Sequence, residues 1–192
     1  MSFISVIARE NFITVMSDGR VMNYEDVPIE ENFQKFINIE NRSFIAFGGT
    51  RELCEMITKD IVPILKNELN YSIWLQSFRR VLESLKLNQN NLKCMFAFGG
   101  INHERNIEFY TINSITLDSK KFNPYGDQIS YAFVNNTKNA DKLYEDKSIE
   151  LFRETGFSTP SEVIQAQRLL NNFVSTQDVS VNNVTFRMII KK

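Results

Sequence analysis

Two short runs of β-branched and aromatic residues, Phe3-Ile4-Ser5-Val6-Ile7 and Phe12-Ile13-Thr14-Val15-Met16, open the chain, and Asp18-Gly19 closes the second. Each is apolar at nearly every position. A strand with one wet face alternates, so these two belong to a sheet covered on both sides. Chain ends usually fray. A core that begins at residue 3 therefore fixes the start of the chain inside the fold, together with the hydroxyl of Ser2 once Met1 is removed. That is the geometry required of an N-terminal nucleophile.

The remaining pattern predicts strands, two helices, strands, two helices and a last strand. A weaker extended stretch covers Val21–Val27. Lys35–Ile39 and Ser43–Phe47 flank the turn Glu40-Asn41-Arg42 and read as a hairpin ending at Gly48-Gly49. Thr50 is the expected N-cap of a first helix carrying Leu53, Met56, Ile57, Ile61, Ile64, Leu65 and Leu69, with a kink or break at Pro63. A second helix spans Ser72–Leu85, its apolar face formed by Ile73, Leu75, Phe78, Val81, Leu82 and Leu85. After the polar stretch 88–91, strands are expected over Leu92–Phe98 and Asn106–Ile112, joined across Gly99-Gly100 and a charged turn. Further extended segments are expected at Ser114–Leu117 and Ile129–Val134. Helices then cover Lys138–Phe152 and a segment from Thr159, where Thr159-Pro160-Ser161-Glu162 reads as a capping box with proline at the first helical position. Val163, Ala166, Leu169, Leu170 and Phe173 are its expected buried face, and Val184–Ile190 closes the chain as a strand. Strands apolar on both faces, interleaved with two helix pairs, point to an α+β fold. The expected form is a four-layer αββα sandwich of two antiparallel sheets flanked by helix pairs, one domain over residues 1–192.

Composition narrows the function. Twenty-two basic and 23 acidic residues leave a net charge of −1, which offers no general attraction for nucleic acid or anionic membranes. Cys54 and Cys94 sit in hydrophobic contexts and read as buried thiols of a reducing compartment. No apolar run approaches the length of a membrane span and no leader pattern opens the chain, so a cytoplasmic location is expected. The only histidine, His103, lies in a charged turn, which leaves a Ser-His-Asp triad without its base. The 16 phenylalanines fall at core spacings, and Arg79-Arg80 and Lys191-Lys192 are short solvated pairs.

Ser2, Asp18, Lys35 and Gly48 stand in an order that resembles the proteasome β-subunits and their bacterial HslV-type relatives, members of the N-terminal nucleophile (Ntn) hydrolases. There a Thr or Ser opens the mature chain, an Asp ends the second strand, a Lys precedes a hydrophobic strand, and a strand then runs into a Gly at the start of the first helix. Counted from Ser2, Asp18 falls at the family's own separation. The segment Cys94–Gly100 followed by Phe109-Tyr110-Thr111-Ile112 is similar to the family's central hairpin, and Gln177–Asn183 resembles its last loop.

The resemblance implies hydrolysis of peptide or other amide bonds through an acyl-enzyme, without a cofactor. Ser2 would be the nucleophile and its α-amine the base, a group whose ordinary pKa of about 7.7–8.0 suits neutral pH. Lys35 would favour the neutral amine and stabilise developing negative charge, Asp18 would hold Lys35, and the Gly48 amide would face the oxyanion. Asp178 and Ser180 would support the N-terminus by hydrogen bonds. Lys35→Ala is expected to abolish activity with the fold intact. A ring-like homo-oligomer and an ATP-dependent unfoldase partner are implied by the resemblance alone. The chain also departs from the family pattern. The Asp18-to-Lys35 interval is one residue longer, implying a displaced lysine or a bulge. Asn135-Asn136-Thr137 stands at a Gly-Ser-Gly turn, and Asn182-Asn183 replaces a glycine pair whose left-handed conformation Asn can also adopt. These departures, with any retention of Met1, define the alternative: a catalytically inactive structural or binding protein on the same scaffold.

Overall fold

A computed structural model describes residues 2–86, 93–134 and 141–192. The opening runs form β1 (Ile4–Arg9) and β2 (Phe12–Asp18), an antiparallel pair buried at every position except Arg9. β10 (Ser130–Val134) lies beside β1, and β11 (Thr185–Lys191) lies beside β2. Together they make a four-stranded antiparallel sheet in the order β10-β1-β2-β11.

The second large sheet is antiparallel with five strands in sequential order. These are β5 (Phe36–Ile39), β6 (Ser43–Gly49), β7 (Cys94–Ile101), β8 (Ile107–Asn113) and β9 (Ser119–Phe122). The β5–β6 hairpin closes as expected. Glu40 and Asn41 both have positive φ and Arg42 N–H donates to the Ile39 carbonyl, the mirror-image turn that matches strand twist.

Several expectations shift. The stretch Val21–Val27 is a strand only over β3 (Val21–Met22), which pairs with β4 (Pro28–Glu30) just beyond it to form a small ribbon. Gly99 and Gly100 lie inside β7, opposite Phe109 and Glu108 of β8, and only 102–106 turn. The strand expected at Ser114–Leu117 is a turn, because the Asn113 side chain accepts the N–H of Ile115 and Thr116; the strand follows at Ser119.

Four helices complete the described residues. α1 (Arg51–Leu65) starts after Thr50 and carries through Pro63 to end two residues later, so Leu69 lies beyond it. Ile64 is 74% exposed and Met56 is also exposed, so neither joins the core. α2 (Tyr71–Lys86) buries Tyr71, Trp74, Phe78 and Leu82, while Ile73 is exposed. The buried stripe is thus turned from the expected one, drawn by stacking of Trp74 and Phe78 on Phe98 at 6.1 and 4.6 Å. α3 (Asp141–Thr155) and α4 (Pro160–Gln177) pack on each other. Leu169, expected inside α4's buried face, is exposed; Val163, Ala166, Leu170 and Val174 form that face. The expected helix start at Lys138, the strand start at Leu92, the polar stretch 88–91 and the turn Asn135-Asn136-Thr137 lie outside the described residues. Among the described residues no helix is long and apolar enough to cross a membrane.

Three apolar clusters hold these elements. One joins α1 and α2 to the five-stranded sheet through Ile57, Trp74, Phe78, Phe96 and Phe98. A second draws on both large sheets, with Ile4, Val6, Val15 and Val134 from one and Phe44, Ala46, Ala97 and Phe109 from the other. The third joins α3 and α4 to the four-stranded sheet through Phe3, Ile7, Phe12, Leu151 and Leu170.

The capping box at α4 is complete. Thr159 Oγ1 accepts from Glu162 N, and Glu162 Oε2 accepts from Thr159 N at 3.0 Å. Thr159→Ala removes one half of it and is expected to lower unfolding free energy by about 1 kcal/mol. Urea denaturation reads this directly; an unmoved midpoint would show that solvent replaces the cap without loss.

Candidate active site

Strand pairing and one buried ion pair bring four of the singled-out residues together. Ser2 lies two residues before β1 and Asp18 ends β2, so the β1–β2 pairing sets Phe3 opposite Asp18 and Ser2 next to it. The Phe3 N–H, one residue after Ser2, donates to Asp18 Oδ1 at 2.9 Å, and the Asp18 N–H returns a bond to the Phe3 carbonyl. Lys35 precedes β5, and its Nζ donates to the same Asp18 Oδ1 at 2.5 Å. Asp18 Oδ2 accepts the Arg20 N–H at 2.9 Å. Asp18 is fully buried and Lys35 only 2% exposed. Burial pulls the Lys35 ammonium below its ordinary 10.5, and the Asp18 charge and hydrogen bond oppose that pull. Between Asp18 and Lys35 the chain carries one residue more than the resemblance implies. The irregularity in that interval falls in the β3–β4 ladder, between Val21 and Met22.

Gly48 lies within β6, opposite Met95 of β7, and not at the helix start. A Cβ added to it would stand 3.4 Å from Ser2 Cβ and 3.0 Å from Val134 Cγ1. The tighter of the two contacts is with Val134, while Ser2 would be met at ordinary van der Waals distance, so Gly48 places β6 directly beside Ser2.

Ser2, Lys35 and Gly48 open on a cavity of about 500 Å³. One wall is the segment carrying β3 and β4, through Arg20, Val21, Met22, Tyr24 and Ile29; another is Phe33, Phe47 and the first turn of α1. Arg51 lies 4.0 Å over the Phe33 ring and is paired with Glu30 and Glu55. Cys54 lines the cavity too, with its sulfur 3.2 Å from that of Cys94. The hydrogen bond to Cys94, and burial after it, push the Cys54 thiol up, so Cys54 stays protonated. Among the described residues no three His, Cys, Asp or Glu side chains group as metal ligands would.

Asp178 and Ser180 lie one step away, in the loop after α4. Asp178 Oδ1 accepts both the Ser180 N–H at 2.8 Å and its hydroxyl at 2.6 Å. The bonds that tie this loop to the site run through its neighbours: Arg20 Nη1 donates to the Val179 carbonyl, and Asn182 bonds Gly19 and Glu31. Neither Asn182 nor Asn183 has positive φ, so neither stands in for a left-handed glycine; Asn182 works through its side chain. No spacing rule marks it, since Gly19 is 163 positions distant. Glu31, held below the ordinary carboxylate range by Arg20 and then Asn182, was equally silent in the sequence. His103 follows the far end of β7, eight residues beyond Met95, hence roughly 25 Å along the strand from Gly48.

Comparison with known proteins supplies a fold. No protein-family model matches the sequence, and no curated protein matches it. Solved structures do match. HslV from Trypanosoma brucei superposes with a TM-score of 0.68 at 12% identity over 99% of both chains. Anbu, the ancestral β-subunit from Yersinia bercovieri, superposes at 0.76 and 12% identity over 98% of this chain and 81% of that one. The chain therefore has the proteasome-like fold that its opening residues resemble.

Proposed function

We propose that this chain is an Ntn-type amidohydrolase or peptidase whose nucleophile is the Ser2 hydroxyl after Met1 removal. The observation that carries this reading is the buried Asp18–Lys35 pair beside a cavity onto which Ser2 and Gly48 also open. In the reaction the Ser2 α-amine takes the hydroxyl proton as the oxygen attacks the carbonyl carbon. Lys35 disfavours prior protonation of that amine, and the Gly48 amide receives the oxyanion. The amine then hands its proton to the leaving nitrogen. Water, activated by the same amine, releases the acyl group and regenerates Ser2. Asp178 and Ser180 act at one remove, bracing the loop that holds Gly19 and Arg20.

The three apolar clusters support the four-layer αββα order over one domain, because helix–sheet, sheet–sheet and sheet–helix interfaces each need their own core. A ring-like homo-oligomer belongs to the same reading, in keeping with the fold likeness, and an ATP-dependent unfoldase partner belongs to it through the family resemblance alone. Two buried free thiols support a cytoplasmic setting.

The test compares Met1-free and Met1-bearing protein, separated by intact mass, against fluorogenic peptide amides. Activity confined to the Met1-free species is expected, since an acylated Ser2 nitrogen has no basicity. Equal turnover by both species would refute the mechanism, and a silent Met1-free species would favour the inactive scaffold.

A further inference from the structure

Asn182 uses its whole amide group to join two points that the sequence separates. It is 7% exposed, in the loop between α4 and β11. Its Oδ1 accepts the Gly19 N–H at 2.9 Å, and its Nδ2 donates to the Glu31 carbonyl at 2.9 Å and to Glu31 Oε2. Gly19 and Glu31 are the two ends of the segment that carries β3 and β4, the wall of the cavity over Ser2. The Arg20–Glu31 pair, at 3.1 Å, lies across the same base. From behind, Asn171 of α4, itself buried, donates from Nδ2 to the Asn182 carbonyl at 2.8 Å. The wall is thus tied at its base to a helix on the far side of the four-stranded sheet. Its tip, a turn closed by the Asn23 side chain, stands in solvent, with Tyr24 90% exposed.

We infer that Asn182 is a positioning residue that sets where the 19–31 wall stands over Ser2, acting through Gly19 and Glu31. The catalytic part of this inference rests on the function proposed above; the clamp itself does not. The chemistry of the clamp is specific. One acceptor and two donors are used, and aspartate of the same shape keeps the acceptor, loses both donors and sets a second carboxylate against Glu31.

The test compares wild type, Asn182→Ala and Asn182→Asp by two readouts. The first is capture of Ser2 by a peptide epoxyketone, which condenses with an adjacent hydroxyl and amine. The second is amide hydrogen exchange resolved along the chain. A displaced wall should raise KI about 10-fold, the equivalent of ~1.4 kcal/mol, with kinact held within about 2-fold. Exchange over 19–31 should accelerate about 10-fold while β1 and β2 stay protected. Unchanged exchange over 19–31, or acceleration spread evenly over the molecule, would overturn the clamp. A fall in kinact at constant KI, or a loosened wall with both constants unmoved, would overturn its role over Ser2. If Asn182→Ala does not fold, Asn182→Asp carries the same comparison. If wild-type Ser2 captures nothing, the proposed function fails, and the exchange readout alone still decides whether Asn182 holds the wall.

Discussion

Asp18→Ala should lower the unfolding free energy by about 3–5 kcal/mol, the range for breaking one side of a buried ion pair. Three donors lose their acceptor at once: the Lys35 ammonium, the Phe3 N–H and the Arg20 N–H. Chemical capture of Ser2 should vanish with them, because Asp18 positions both Lys35 and the start of β1. Burial also revises the expectation that Lys35→Ala leaves the fold intact. That variant strands the Asp18 carboxylate in the same dry site, so loss of stability should accompany loss of activity. Lys35→Met with Asp18→Asn should cost less than the sum of the two singles, since neither buried charge remains. Urea titrations of the three variants measure this; a single substitution costing under about 1 kcal/mol would mean water reaches the pair. The pH dependence has a defined sign. With the folded Lys35 below 10.5, the unfolded chain binds more protons between the folded value and 10.5. Stability from this group therefore rises with pH across that window, and Lys35→Met should remove the rise.

Gly48→Val should silence the site by occupation. Even a single Cβ would press on Val134 at 3.0 Å and reach 3.4 Å from Ser2 Cβ. A valine adds two further methyls beside Ser2, where the proposed reaction needs room for the acyl group. Overpacking costs typically 1–3 kcal/mol, about what a fold can absorb, whereas access to Ser2 should fall at least ~100-fold. Capture rate and urea midpoint, measured together, separate the two effects. Wild-type capture by a folded Gly48→Val protein would show that substrate does not approach Ser2 past β6.

Much of this architecture was legible because burial on both faces writes itself into sequence. β1 and β2 carry no alternation, and the structure covers them with the other sheet on one side and α3 and α4 on the other. The Thr159–Glu162 cap was legible because its chemistry is local. β9 was not: Ser119, Lys120 and Lys121 are exposed on an edge strand, where neither apolar alternation nor burial leaves a mark. α2 misled because Tyr71 and Trp74 have polar tips, satisfied here by Ser43 and by the Glu68 carbonyl, which lets both rings enter the core. At the site, Asp18 and Lys35 stood out only through the resemblance of their order to the Ntn hydrolases, since alone they read as a turn residue and a solvated lysine. Asn182 and Glu31 did not, because side-chain hydrogen bonds across distant loops follow no period.

The most direct measurement is mass mapping of a peptide epoxyketone adduct on Met1-free protein, with Ser2→Ala as control. The expected result is one adduct, bridging the amine and hydroxyl of Ser2 and absent from Ser2→Ala. Met1-free protein that takes up no label, or label that persists in Ser2→Ala, would contradict a Ser2-centred site.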